Sequence, residues 1–202
     1  MIAPAIILLG YLVGSFPSAY LAGRLMGGVD IRHLGDHNAG VVNVYREISP
    51  SAGVAVLLID VGKGLLAVQI AAAFASEWVV LLSGVAAVAG HNWPLYLGFR
   101  GGRGLATTIG VLTMLMPQPM LILLAVAAVP FLITRDTMLT AAILFVPLPL
   151  IAWLTGAHGA LIGYSIGLPC LVGFSHLLTT RHLPPEVRRR GAYMRGVAPP
   201  EG

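Results

Sequence analysis

Two long segments without any charged side chain limit the fold of this chain most strongly. Residues 104–134 and 137–180 contain no Asp, Glu, Lys or Arg, and they run for 31 and 44 residues. About 20 apolar residues in a helix cross the hydrocarbon core of a bilayer. In lipid, only helices and closed barrels pair all their backbone groups, and these segments are too long for barrel strands. The sequence therefore predicts an all-α, polytopic helical membrane protein.

The composition excludes several other classes of protein. Hydrophobic residues make up 57% of the chain and charged residues 10%, whereas about a quarter of a soluble domain is charged. The single cysteine, Cys170, has no partner for a disulfide. The net charge is +4, but the arginines fall in short clusters between apolar segments, which is typical of cytoplasmic loops. Because no metal or nucleotide motif occurs either, we expect no nucleic-acid partner, no metal and no cofactor.

The number of crossings depends on residues 104–134. One helix of this length would reach about 46 Å, against a hydrocarbon core of about 30 Å, and Pro117 and Pro119 would break it in two. If the chain turns there, every arginine lies on one side of the membrane, as the positive-inside bias favours. We therefore predict one domain over residues 1–202, with about seven transmembrane helices, the N-terminus outside and the C-terminus inside. The two pieces would have only about 13 and 15 residues, so five spans with a re-entrant pair are the alternative.

A polar, glycine-rich loop follows the first apolar segment. Residues 35–46 read Gly-Asp-His-Asn-Ala-Gly-Val-Val-Asn-Val-Tyr-Arg. Glycines permit positive φ and leave backbone N–H groups free to face an anion, and several polar side chains are gathered beside them. A solvated loop between helices is the alternative. The candidate site residues here are Asp36, His37, Asn38, Gly40, Asn43 and Arg46.

A second basic loop precedes residues 104–134. Residues 90–94 read Gly-His-Asn-Trp-Pro, and residues 99–104 read Phe-Arg-Gly-Gly-Arg-Gly. Gly-Gly-Arg-Gly at the start of a helix would place bare amides, a helix N-terminus and a guanidinium at one point, which suits a phosphate. An ordinary basic loop is the alternative. The candidate site residues here are His91, Arg100, Gly101, Gly102, Arg103 and Gly104.

Asp60 and Lys63 are charged residues within an apolar segment. They lie three residues apart, so they share one face of a helix. A charge inside the membrane costs at least about 2.5 to 3.5 kcal/mol unless it is paired or hydrated. We therefore expect the two side chains to pair or to line a wet cavity. Lys63, the only lysine in the chain, is a candidate substrate ligand, and a purely structural ion pair is the equal alternative.

One serine lies in a pattern that is typical of hydrolases. Residues 163–167 read Gly-Tyr-Ser-Ile-Gly, which matches the G-x-S-x-G nucleophile elbow. The pattern lies in an uncharged segment that offers no carboxylate to orient a base. We interpret it as helix packing, in which small residues let neighbouring helices approach.

In its polar loops the sequence resembles the bacterial integral-membrane family of acyl-phosphate:glycerol-3-phosphate acyltransferases. The resemblance covers residues 11–15, 30–32, 35–46, 60–64 and 90–107. It implies a seven-span bundle in the bacterial inner membrane with its active site facing the cytoplasm. It also implies transfer of a fatty acyl group from acyl phosphate to glycerol 3-phosphate, or a related polyol phosphate, which forms lysophosphatidic acid for phospholipid synthesis. A non-catalytic relative, or a carrier of anionic lipid precursors, is the alternative.

The partners implied by this resemblance are the two phosphate substrates and membrane lipids. An acyl phosphate is already activated, so the enzyme needs mainly to hold phosphates and bring a hydroxyl to the carbonyl carbon. The resemblance implies that the acceptor's own phosphate assists in removing the hydroxyl proton. In this chain His37 or Asp36 is an alternative base, and His91 is a third candidate catalytic residue.

This chain departs from the family in both loops. Asp36 stands where the family has serine, and Arg100 and Arg103 stand where it has lysines. Arginine can still bind phosphate, with a planar fork in place of a point charge. An aspartate there must either pair with a basic neighbour or repel a phosphate. Pairing with Arg46 or Arg103 would make Asp36 a structural clamp.

Further departures lie in the second half of the chain. Met138 and Ala141 stand where the family has serines after its fifth span, so Thr140 is the candidate phosphate ligand there. His182 is the candidate in the tail, where Pro185 replaces the asparagine of the family's pattern.

Overall fold

The computed structural model describes residues 2–181 and residue 183. This part of the chain consists of helices and their connections, without a β-strand. The α-helices are α1 (Ile2–Gly14), α2 (Ser18–Gly27), α3 (Val41–Glu47), α4 (Pro50–Phe74), α5 (Glu77–Asn92), α6 (Leu105–Leu115), α7 (Pro117–Thr134), α8 (Thr137–Phe145), α9 (Leu148–Leu154) and α10 (Gly159–Thr180). Two short 3₁₀ segments lie at Ile31–His33 and Leu95–Leu97.

Several of these helices are long and apolar enough to cross a membrane. In the described residues there are six such segments: Ile2–Gly27, Pro50–Phe74, Glu77–Leu97, Pro117–Thr134, Thr137–Leu154 and Gly159–Thr180. The chain is therefore an all-α, multi-pass membrane protein, as its apolar runs predict. Helix α6 is apolar too, but its 11 residues reach only about 16 Å.

The predicted break in residues 104–134 is present. Helix α6 ends at Leu115 and α7 begins at Pro117, so the chain leaves helical geometry at Met116. A proline is tolerated in the first turn of a helix, where its missing N–H has no partner to lose. The break therefore precedes the prolines, and the two helices have 11 and 18 residues. The nearly equal lengths that we expected are wrong.

The helix of the first apolar segment, residues 1–23, is also interrupted, at a proline, a residue that disfavours the interior of a helix. Helix α1 ends at Gly14 and α2 begins at Ser18, with Pro17 between them. The break leaves the carbonyl oxygen of Phe16 outside any helix, and the Nζ of Lys63 donates to it at 3.2 Å. A buried charge of α4 is thereby connected to the end of α1.

Glycines bring the central helices close together. Gly14 of α1 lies against the carbonyl of Ala87 in α5, and Gly64 of α4 lies against the carbonyl of Thr107 in α6. A Cβ at either glycine would overlap backbone atoms of the neighbouring helix. Close packing through small residues is a main source of helix association in membranes.

The G-x-S-x-G pattern in α10 does not serve this purpose. Gly163 and Gly167 have open space where a Cβ would stand, so our interpretation of them as helix-packing residues is wrong. Ser165 is buried, and its hydroxyl donates to the carbonyl of Ile162 in the same helix at 2.7 Å. The pattern follows from apolar composition rich in small residues, without a contact that requires them.

The first polar loop packs on a small apolar cluster. This cluster joins α2, the loop, α3 and α4, and it is separate from the larger core, which is formed by α1 and by α4 to α10. The first polar loop is therefore held in place by apolar side chains that pack beneath it and on the flanking helices. The buried members of the small cluster are Ala19, Ile31, Ala39, Val44, Ala52 and Val56.

Candidate active site

Arg32 lies just before the first polar loop and connects it to Leu97, which lies between the two halves of the second loop. Its guanidinium donates to Asp30, with Nη2 at 2.8 Å from Oδ2, and its Nη1 donates to the carbonyl of Leu97 at 3.1 Å. The hydrogen bond from Arg32 lowers the pKa of Asp30 to about 2, so this carboxylate is ionised at neutral pH. Residues 30–32 are one of the segments in which the sequence resembles the acyltransferase family, and in the structure they position the first loop.

Asn43 organises the interior of the first loop. It is fully buried, and its side-chain amide donates to the carbonyls of Ile31, Leu34 and Asn38, each at 3.0 Å. Its side-chain oxygen accepts from the backbone N–H of Asp36 at 3.3 Å. Both ends of the side chain are used inside the loop, so Asn43 shapes the loop, and its amide has no free N–H for the phosphate contact predicted for it.

The two loops meet at the carboxylate of Asp36. Its Oδ2 lies 3.0 Å from Nη1 of Arg103 and 4.0 Å from Nη2 of Arg46. The side chains of Asp36, Arg46 and Arg103 are 1%, 7% and 13% exposed. Burial lowers the pKa of the Arg103 guanidinium and Asp36 raises it, and an arginine stays charged at physiological pH. Two separate sequence motifs therefore form one buried cluster of charges.

The two arginines of the second loop have different environments. Arg103 joins the cluster with Asp36 and Arg46, whereas Arg100 is exposed. Among the described residues, Arg100 takes part in no ion pair. The sequence motif alone does not indicate which of the two arginines is exposed and which joins the cluster.

The glycines of the second loop fold back on the end of α5. The N–H of Gly101 donates to the carbonyl of Asn92, and the N–H of Gly102 donates to the carbonyl of His91, both at 3.1 Å. Carbonyls at the C-terminal end of a helix lack helical donors, so they take these two amides. Our expectation that the amides of Gly101 and Gly102 are bare is therefore wrong. Gly104 precedes α6 with φ +85°, a conformation that favours glycine.

Gly102 has no room for a side chain. A Cβ there would overlap Nε2 of His91 and would lie 2.8 Å from the carbonyl oxygen of Ala39. We expect Gly102→Ala to push the two loops apart and lower kcat/KM by about five- to 150-fold, because an overpacked contact costs about 1–3 kcal/mol and the displaced loops would lose this much transition-state binding. Steady-state kinetics checks this, with Gly62→Ala as the control because Gly62 has open space at its Cβ position. Equal kinetics in the two variants would contradict the close contact.

A second charged cluster lies inside the helix bundle. The Nζ of Lys63 is 2.8 Å from Oδ1 of Asp60, and the hydroxyl of Ser18 donates to the same oxygen at 2.6 Å. Nδ1 of His91 lies 3.6 Å from it. Asp60, Lys63 and His91 are buried. The pairing of Asp60 with Lys63, predicted from their spacing, is confirmed. Lys63 and His91, which we expected to be a ligand and a catalytic residue, are engaged in this cluster, and His91 also contacts Gly102.

The remaining candidates lie in different places. His37 is exposed, with φ +57°, and its Nδ1 lies 3.2 Å from the carbonyl oxygen of Arg32. Gly40 is the extended residue that precedes α3. The hydroxyl of Thr140 donates to the carbonyl of Asp136 in its own helical turn at 2.6 Å, and α8 packs mainly on α7. The predicted ligand His182 lies outside the described residues.

His176 is not singled out by any motif in the sequence. This half-buried residue of α10 lies within electrostatic range of Arg103 and Asp36. The only signal in the sequence is a histidine near the end of an uncharged segment, just before Arg181.

Unpaired polar atoms are concentrated around the two loops. In the described part of the chain, the buried atoms without a hydrogen-bond partner include Asp36 Oδ1, Asn38 Oδ1, Arg103 Nε, Thr107 Oγ1 and both polar atoms of the Asn92 side chain. An unsatisfied buried group costs about 1–3 kcal/mol. Such a concentration is typical of a site where a polar ligand completes the bonds. No group of three or more metal-ligating side chains occurs among the described residues.

Comparisons with known proteins agree with this architecture. The family model for glycerol-3-phosphate acyltransferase matches residues 4–188. Glycerol-3-phosphate acyltransferase 4 of Dehalococcoides mccartyi is 48% identical, over 87% of this chain and 95% of its own length. Glycerol-3-phosphate acyltransferase of a Synechococcus species is 37% identical, over 83% of this chain and 84% of its own length.

Solved structures show the same fold. The crystal structure of PlsY, an integral membrane glycerol 3-phosphate acyltransferase, in its glycerol 3-phosphate form has a TM-score of 0.80 and 30% identity, and covers 91% of this chain and 92% of its own. The lysophosphatidic acid form has a TM-score of 0.78 and 29% identity, with the same coverage. This chain belongs to the glycerol-3-phosphate acyltransferase family.

Proposed function

We propose that this protein transfers a fatty acyl group from acyl phosphate to glycerol 3-phosphate, which yields lysophosphatidic acid and inorganic phosphate. The observation that carries the proposal is the meeting of the two loops, which brings the largely buried side chains of Arg46 and Arg103 together. Guanidinium groups present planar forks of donors that match phosphate oxygens. The relatives named glycerol-3-phosphate acyltransferase, and PlsY in its two ligand forms, support the same reaction.

The chemistry needs no covalent intermediate. The acceptor hydroxyl attacks the acyl carbon, a new ester C–O bond forms, and the C–O bond to the phosphate breaks with its electron pair leaving on phosphate. Arg46 and Arg103 neutralise phosphate charge and fix the distance between the two substrates, which are the main requirements for an activated acyl donor. Asn38 remains a proposed substrate ligand in the same loop, because its unpaired side-chain oxygen can accept a hydrogen bond from a glycerol hydroxyl.

His37 is the proposed acceptor of the hydroxyl proton. A carbonyl oxygen only accepts hydrogen bonds, so the contact of His37 with the Arg32 carbonyl places the proton on Nδ1 and leaves Nε2 as a base. We expect His37→Ala to lower kcat about 100-fold, because a general base contributes about 10²–10⁴-fold, and to change KM little. Steady-state kinetics at fixed pH checks this. A change in kcat below about threefold would instead assign the proton to the acceptor's phosphate.

The competing function is that of a carrier which binds anionic lipid precursors without reacting them. Asp36, a negative charge inside the cluster, is the observation that favours it. Purified protein incubated with acyl phosphate and a panel of polyol phosphates separates the two by mass spectrometry. We expect lysophosphatidic acid and inorganic phosphate in equal amounts. Binding of both substrates without any product would favour the carrier.

We further propose seven crossings in the bacterial inner membrane, six through the long apolar segments and one through the short α6, with the N-terminus outside and the site facing the cytoplasm. The break at Met116 supports this orientation, because a turn there keeps the arginines on one side. These arginines are Arg24, Arg46, Arg103, Arg135 and Arg181.

Cysteine labelling tests this topology. Single cysteines at positions 118 and 136, in a Cys170→Ser background, mark the two ends of α7. We expect a membrane-impermeant thiol reagent to reach position 118 from outside and position 136 only after the membrane is opened. Labelling of both positions from the same side would contradict the seven-crossing topology.

A further inference from the structure

Asp36 is held in the charged cluster differently from the other two buried or half-buried carboxylates of the site region. Asp30 accepts hydrogen bonds from Arg32, and Asp60 accepts one from Ser18. Within the described residues, neither carboxylate oxygen of Asp36 accepts a hydrogen bond of good geometry, although Oδ2 lies 3.0 Å from Arg103. Charge attraction to the guanidiniums is therefore the main interaction that holds this carboxylate.

Its position is the one that an incoming anion needs. Oδ2 of Asp36 faces Nη1 of Arg103 and Nη2 of Arg46 at 3.0 and 4.0 Å, so it lies where the two guanidiniums converge. The formal charges of these three side chains add to +1, whereas the two arginines alone would carry +2. A phosphate monoester carries about 1.5 to 2 negative charges at pH 7, so it meets a site that is already partly neutralised.

We propose that Asp36 is a specificity-determining residue, an internal counter-ion that occupies the anion position between Arg46 and Arg103 and with which the substrate phosphate competes. The proposal rests on the proposed function for the identity of the substrate. It predicts that the site binds a dianionic phosphate monoester more weakly than two buried arginines would allow, and that a monoanionic phosphodiester suffers less from the same competition.

A counter-ion and a structural clamp differ in how removal of the Asp36 charge changes phosphate binding. A clamp would hold the two guanidiniums in place for substrate, so its removal would weaken binding of every phosphate. A counter-ion opposes the substrate's charge, so its removal strengthens binding, and more so for the more highly charged ligand. The two roles therefore predict changes of opposite sign.

Asp36→Asn tests the inference, because it removes the charge and keeps the size of the side chain. We expect the Kd for glycerol 3-phosphate, measured by calorimetry in detergent without acyl donor, to fall about tenfold, and the KM to fall with it. For the methyl diester of glycerol 3-phosphate we expect a smaller decrease, about threefold. Weaker binding of both ligands, or an equal change for both, would overturn the proposal.

Matched variants complete the experiment. Asp36→Ser removes the charge with a smaller side chain and should also tighten binding, so the test does not depend on the folding of one variant. Asp36→Glu keeps the charge and should not tighten it. Asp136→Asn removes a half-buried charge at the start of α8, keeps a good helix cap and should leave the Kd unchanged.

The outcomes separate this inference from the proposed function. Tighter binding of glycerol 3-phosphate in Asp36→Asn, without lysophosphatidic acid formation by the unsubstituted protein, would refute the acyltransferase function and leave the counter-ion intact. Product formation by the unsubstituted protein, with unchanged or weaker binding in both neutral variants, would refute the counter-ion alone.

Discussion

Arg103→Ala is expected to lower kcat/KM for glycerol 3-phosphate about a thousandfold. Arg103 is the buried guanidinium nearest the point where the two loops meet. Two charge-assisted hydrogen bonds to phosphate contribute about 1.5–3 kcal/mol each, and every 1.36 kcal/mol corresponds to a tenfold change in rate. Steady-state kinetics with acyl phosphate held at saturation measures the loss.

Two further variants make this result specific. Arg103→Lys keeps the charge but not the planar fork, so we expect an intermediate loss. Arg100→Ala removes an exposed arginine three residues earlier, and we expect less than about a threefold change. An equal loss in Arg100→Ala and Arg103→Ala would mean that the general charge of the loop, and not the buried guanidinium, binds the substrate.

Asp60→Ala is expected to destabilise the fold by about 3–5 kcal/mol. It would leave the Lys63 ammonium buried in the bundle without its partner at 2.8 Å, and breaking a buried pair from one side has a cost of this size. The measurement is the thermal unfolding midpoint of the detergent-solubilised protein.

A double variant provides the control. Replacing both charged residues with apolar ones, Asp60→Leu with Lys63→Met, removes the isolated charge and should recover much of the lost stability. Ser18→Ala, which removes only one hydrogen bond to Asp60, should cost about 1 kcal/mol. An unchanged unfolding midpoint in Asp60→Ala would mean that water, and not Asp60, stabilises the Lys63 charge.

The sequence predicts the features of this protein that depend on local rules. The uncharged runs identify membrane helices because the length of a helix must match the bilayer. The break near Pro117 follows from the chemistry of proline. The pairing of Asp60 with Lys63 follows from helix geometry, since residues three apart share a face.

Features that depend on how distant segments approach each other are not predicted. The sequence treats Arg100 and Arg103 alike, and only the packing of the loop on α5 buries one and exposes the other. Asn43 is identified as a polar residue of the loop, but the three carbonyls that its amide contacts come together only in the folded loop. His176 of α10 is distant in sequence from both loops, yet it lies within electrostatic range of Arg103 and Asp36.

The most direct test of the phosphate site made by the two loops is equilibrium binding of glycerol 3-phosphate to Arg46→Gln/Arg103→Gln. Glutamine keeps much of the length and hydrogen bonding of each side chain but removes both charges, and calorimetry requires no acyl donor. We expect the unsubstituted protein to bind glycerol 3-phosphate and the double variant to show no measurable heat, with both proteins still folded by thermal unfolding. An unchanged Kd in the folded double variant would contradict a phosphate site at the meeting point of the two loops.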